Sequence, residues 1–177
     1  MYKKVEVELT GTSPLLMNRL TLESLQKKSR KVMKNYDPEE DARAAAYMTE
    51  EGDLYVPMEA IFSMMIYAAG AHKMGRRSMK SYLAGGIRIE PEQIPLTPND
   101  YEVDLRAVVI QRARVIRARP KIRDWKIEFT LIYDDEILTA PPLEAILEDA
   151  GKRVGLLDFR PQRNGWFGTF TVTKFNE

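Results

Sequence analysis

The sequence predicts an α+β protein, an antiparallel sheet with two helices on it and extra segments inserted between its strands. Three observations lead there. Residues 3–10 alternate strictly, Val5, Val7 and Leu9 against Lys4, Glu6 and Glu8, the period of a half-buried strand. Two stretches have helical period instead. One is the apolar run 58–71 behind Pro57, with Ala60, Ile61, Met64, Met65, Ala68 and Ala69; the other follows Pro141-Pro142, with Leu143, Ile146, Leu147 and Ala150 at i, i+3, i+4, i+7. Finally, 101–133 is predominantly β in pattern, and a last strand is expected over 169–175. Stripped of insertions, the order is β-α-β-β-α-β, a ferredoxin-like (RRM-like) antiparallel sheet with helical and β-hairpin insertions. At 177 residues the chain reads as a single domain, 1–177, with a helical insertion at about 20–50 and a basic β-hairpin at about 101–133.

The remaining elements follow in order. Gly11-Thr12-Ser13-Pro14 is a turn cluster that ends the first strand. Thr21 is a candidate N-cap for a lysine-rich helix running to 34. Asp37-Pro38-Glu39-Glu40 supplies a cap, a proline at the first helical position and an acidic first turn, so a helix is expected there, ending near Tyr47. Gly52-Asp53 is a turn before a short strand at 54–56, and further short strands are expected at 87–89 and 94–96. Pro120 suits a strand end or turn better than a strand interior. Gly151 or Gly155 closes the last helix.

Composition excludes several kinds of chemistry. With no cysteine there are no disulfides, thiolate ligands, cysteine nucleophiles or iron–sulfur centres, which fits a reducing compartment and a cytoplasmic location. No stretch is apolar for long enough to span a bilayer as a helix, and the first residues carry no apolar signal segment. The single histidine, His72, rules out a two-histidine site. No phosphate-cradling glycine motif, nucleophile elbow or zinc-protease motif is present. No cofactor or metal is expected, and the chain reads as non-catalytic.

The net charge of +1 hides strong local polarity. Residues 106–126 hold eight cations against one acid, Asp124, and 27–34 hold five cations and no acid. Surfaces that face polyphosphate have this asymmetry. Within a strand, alternate residues share a face, so Arg112 would point with Arg114, and Arg117 with Arg119 and Lys121. Guanidinium groups aligned in this way repel unless an anion lies between them, and their fork suits phosphate. A second constellation is the 160–168 loop, where Arg160, Arg163 and Trp166 stand among glycines. Its glycines permit close approach to a ligand, and an aromatic there can stack on an unpaired base. Lys27, Lys28 and Lys31 would add long-range attraction.

Three segments resemble the RAMP superfamily, the ferredoxin-like proteins that form the RNA-binding backbone of CRISPR effector complexes. They are Gly11-Thr12-Ser13-Pro14-Leu15-Leu16 after the first strand, Gly52-Asp53-Leu54-Tyr55-Val56-Pro57 before the apolar helix, and Gly165-Trp166-Phe167-Gly168-Thr169-Phe170 before the last strand. The start of the apolar helix, 58–63, departs from the family in lacking its glycine, paired serines and lysine. The resemblance implies a compact relative, of a phage or mobile element, that grips a sugar–phosphate backbone as a head-to-tail filament of copies.

The expected function is therefore non-catalytic binding of single-stranded DNA or RNA with little sequence preference. Phosphates would be held by Arg112, Arg114, Arg117, Arg119 and Lys121, and the strand closed over by Arg160, Arg163 and Trp166. Two alternatives of other classes remain: a metal-independent endoribonuclease using His72 with Tyr67 or Lys73, and an assembly subunit whose arginines meet an acidic protein.

Overall fold

The computed structural model describes residues 1–22, 24 and 36–177. Its main sheet contains the expected frame. Strand β1 (Tyr2–Gly11) lies between β11 (Phe170–Asn176) and β10 (Lys126–Asp134), and β10 in turn pairs with β6 (Ile87–Glu90), all antiparallel. The helices α2 (Met58–Ala68) and α4 (Ala140–Arg153) follow the first and third strands of that frame. This is the ferredoxin-like order, fourth strand, first, third, second. Two insertions widen it. The lower end of β10 pairs with β7 (Gln93–Thr97), which pairs with β3 (Tyr55–Pro57).

Periodicity explains which face is covered. Val5, Val7 and Leu9 of β1 are buried with Ile127, Phe129 and Leu131 of β10, beneath Ile61, Met64, Met65 and Ala68 of α2 and Leu143, Ile146, Leu147 and Ala150 of α4. The opposite face stays open and is charged with both signs. Glu8 stands opposite Glu128 there, and Lys126 reaches Glu8 at 3.5 Å. Tyr2, beneath the Arg88 guanidinium at 5.1 Å, is the aromatic of that face. Among the described residues, this open sheet face presents no row of rings on which successive bases could stack.

Three further strands form a second sheet. It consists of β2 (Leu15–Leu16), β9 (Ala113–Ile122) and β8 (Glu102–Ile110), the last two forming a long hairpin. Helix α1 (Pro38–Ala44) packs on it, with Asp37 capping the Glu39 amide at 3.0 Å and Asp41 Oδ2 accepting the Ala118 N–H at 3.0 Å.

Local expectations were corrected in three places, the ends of two helices and Pro120. Helix α1 stops at Ala44, short of Tyr47, and α2 gives way at Ala69–Ala71 to a 3₁₀ turn. The 73–80 stretch forms a small hairpin, β4 (Lys73–Met74) with β5 (Arg77–Ser78), followed by α3 (Lys80–Gly86), a helix whose pattern shows only Leu83 as a large buried residue. Pro120 lies inside β9, opposite Val103. Its carbonyl accepts the Met17 N–H at 2.9 Å, on the side away from β8. A strand residue's N and C=O point the same way, so proline there removes no bond of the β8–β9 ladder. The expected lysine-rich helix falls largely outside the described residues, although the Ser24 N–H does donate to Thr21 Oγ1 at 3.1 Å, as the cap predicts.

Candidate nucleic-acid interface

Two constellations some forty residues apart in the chain are packed against each other. The hairpin's inner face carries Asp104, Arg106, Arg117, Arg119 and Lys121, since cross-strand partners share a face. Against it lies the 155–169 loop. Arg119 is ion-paired with Asp158 of that loop, and the Arg106 guanidinium covers the Phe167 ring at 4.8 Å.

The loop is held from below as well. Gly168 takes the left-handed φ of +74°, and its N–H donates to Pro14 at 2.8 Å. Asp158 N–H donates to Leu16 at 3.0 Å, and Thr169 N–H to Ser13 Oγ at 3.0 Å. A Cβ on Gly165 would fall 1.7 Å from the Phe159 carbonyl oxygen. The loop's glycines therefore serve backbone-on-backbone packing, and the N–H groups of Gly165 and Gly168 are spent on Arg160 and Pro14. This corrects the expectation that they approach a ligand.

The two adjacent aromatics divide their tasks. Phe167 is fully buried, whereas Trp166 is 56% exposed and lies stacked on it, centroids 4.3 Å apart and planes 23° from parallel. Trp166 is thus an outward ring fixed from behind, a preset stacking platform.

The arginine strip is less uniform than its sequence. Arg112 is not in a strand with Arg114. With Gln111 it makes the two-residue turn between β8 and β9, both at positive φ (66° and 49°), the twist a tight hairpin needs. Arg114 lies on the hairpin's outer face, opposite Val109. Arg117, Arg119 and Lys121 do share the inner face as expected, but the anions between these cations are carboxylates of the protein. Lys121 reaches Glu102 at 3.1 Å and Asp104 at 3.3 Å, and Arg106 reaches Asp104 at 2.6 Å. Burial pushes the Asp104 pKa up, yet Arg106 and Lys121 outweigh it and hold the carboxyl below its usual range. Arg117 is half-buried, and its Nε has no partner among the described residues. Arg112, Arg114 and Arg163 are exposed. Lys27, Lys28 and Lys31 lie outside the described residues.

Arg160 is held within its loop, donating from Nε to Gln162 at 2.9 Å and from Nη1 to Leu157 at 2.6 Å. Burial, and then the nearby charge of Arg163, lower its pKa. Two guanidinium groups that repel each other at a loop edge favour an anion between them. Arg160 also lines a cleft of about 490 Å³ between the loop, α2 and the start of α3.

His72, at the end of the 3₁₀ turn after α2, is tied to α4. Its Nε2 lies 2.9 Å from Asp149 Oδ2, and Asp149 also accepts two hydrogen bonds from Arg153. Asp149 is held down to about 2, chiefly by Arg153, with His72 adding to the effect and burial opposing it. A carboxylate depressed from about 3.8 to about 2 stabilises the fold fully above its unfolded value, and that contribution is lost as pH falls through the folded one. Asp149→Asn is accordingly expected to lower the urea midpoint at neutral pH. The gap to wild type should narrow below about pH 4.

Among described helices, none is long and apolar enough to cross a membrane. Described residues also form no group of three or more His, Asp or Glu side chains placed to hold a metal. Asp104, Asp158, Tyr67 and Lys80 were absent from the sequence-based binding set. An acid at the inward parity of a strand, as Asp104 is, was the one available sign.

No protein-family model and no curated protein matches the sequence. Among solved structures, the chain is similar to one in the "Cryo-EM structure of the Type III-B Cmr-beta bound to cognate target RNA". The TM-score is 0.56 at 14% identity, over 99% of this chain and 60% of that one. The likeness is one of fold, and it agrees with the ferredoxin-like α+β strand order observed here. This chain spans about 60% of the length of the chain it matches.

Proposed function

We propose that this protein binds single-stranded nucleic acid along its sugar–phosphate backbone, without cleaving it and with little sequence preference. The observation that carries the reading is the exposed Trp166 ring, fixed on buried Phe167 in a loop that the arginine-bearing hairpin clamps. A fixed ring takes any base, and the exposed Arg112, Arg114 and Arg163 would meet phosphates of the strand. Arg119 and Lys121, engaged by carboxylates, act mainly by positioning loop and hairpin. The similar chain from an RNA-bound complex supports the same reading. Copies arranged head to tail along the strand fit the hairpin's outer face, where Leu105, Val109 and Ile116 are 56%, 70% and 49% exposed.

Fluorescence anisotropy of labelled oligo-dT and oligo-U across a salt series tests this, with gel analysis for cleavage. Affinity should fall steeply with salt, both polymers should remain uncut, and the preferred one identifies the partner. Salt-independent affinity would refute the phosphate contacts. Cleavage abolished by His72→Ala would favour the endoribonuclease instead.

A further inference from the structure

We infer that the cleft between α2, the start of α3 and the 155–163 segment is a pocket for one unpaired nucleotide, base against α2 and phosphate between Lys80 and Arg160. The inference rests on the single-strand reading and adds a defined subsite to it.

Helix geometry builds the floor. Because Ile61, Met64, Met65 and Ala68 face the core, Ser63 and Tyr67, one turn apart, must face outward. Tyr67 is 50% exposed, and Phe62 and Ile66 flank it along the same wall. An exposed tyrosine beside apolar side chains is the surface that a planar base covers. The rim is cationic and comes from two distant parts of the chain. Lys80, at the first position of α3, and Arg160, in the 155–163 segment, both line the cleft. Arg160 uses two of its five donors to fix itself in the loop, so it is held in place before any ligand arrives. Burial and Arg163 both disfavour its charge, a penalty that an anion would relieve.

The remaining polar groups are uncharged or already neutralised. Asn18, Ser63 and Gln162 present amide and hydroxyl groups suited to base edges or a ribose. Asp158 also lines the cleft, but its charge is taken by Arg119. An aromatic wall, two cations and neutral hydrogen-bonding groups within about 490 Å³ match a nucleoside monophosphate in both chemistry and size. A fatty or purely apolar ligand would leave both cations unpaired, and a bare inorganic anion would leave the Tyr67 wall uncovered.

The experiment combines oligo-U affinity over a salt series with NMR titration of the intact protein by 5′-UMP. Ser63→Trp fills the cleft from an exposed helix position, and Tyr67→Ala removes the wall without adding bulk. Each is expected to weaken oligo-U binding about tenfold at unchanged salt slope, as loss of one stacked base would. Lys80→Ala should reduce the slope by about 0.7, one phosphate contact on a single strand. 5′-UMP should shift resonances of Tyr67 and Gly155 in the wild type and not in Ser63→Trp. Oligo-U binding at wild-type affinity in both cleft variants would overturn the pocket and leave the single-strand reading standing. Failure of the wild type to bind any oligonucleotide would overturn the single-strand reading. The 5′-UMP titration then decides the pocket alone: localised shifts keep it as a mononucleotide site, and their absence removes it.

Discussion

Trp166→Ala is expected to weaken oligonucleotide binding by about 1–3 kcal/mol, roughly 5- to 150-fold, while leaving the urea midpoint unchanged. Its neighbour should behave in the opposite way. Phe167 is fully buried, lies beneath Arg106 and packs 6.0 Å from the Phe159 ring, so Phe167→Ala removes a core side chain and leaves a cavity. A loss of about 3–5 kcal/mol of stability is expected, a large part of what a domain of this size has. Binding would fall too, because the Trp166 platform loses its backing. Denaturation and anisotropy on the same two variants separate these roles. Equal destabilisation by both would mean that Trp166 is a packing residue and that the stacking platform does not exist.

The second large effect distinguishes arginines that meet a ligand from those that meet the protein. Replacing both Arg112 and Arg114 by alanine should lower the salt slope of single-strand binding by about 1.4, two phosphates at about 0.7 each. Neither residue is packed, so stability should stay within about 0.5 kcal/mol of wild type. Arg119→Ala should leave the slope unchanged and still reduce affinity, because it unpairs Asp158 and frees the loop that carries Trp166. The cost of removing one partner of such a pair falls partly on the charge left behind, so Asp158→Ala added to Arg119→Ala should recover some of the lost stability. A slope reduced by Arg119→Ala as much as by Arg112→Ala would show Arg119 on a phosphate and return it to the binding set.

Much of the fold was legible because it is written in short-range periodicity. Alternation through Val5, Val7 and Leu9 marks β1, and the spacing of Leu143, Ile146, Leu147 and Ala150 marks α4, because the period decides which residues can share a buried face. Asp37-Pro38 marks the start of α1 because a cap is a bond between near neighbours. Helix α3 was not legible: its seven residues include two glycines and bury one large side chain, so neither propensity nor period distinguishes it from a loop.

The candidate site was legible only as a set of residue types. Sequence alone determined that 106–126 is rich in cations and that the 160–168 loop joins arginines to aromatics. Tertiary structure decided which of those groups remain exposed. Asp104 neutralises Lys121 across a strand pair, Asp158 neutralises Arg119 from 39 positions away, and Asp149 takes His72 across 77. It also chose Trp166 rather than Phe167 as the outward ring, and it placed Ser63, Tyr67, Lys80 and Arg160 around one cleft. Periodicity reports which side of an element is buried. A carboxylate's partner, or the wall opposite a helix, depends on contacts between elements far apart in the chain, and no local pattern records them.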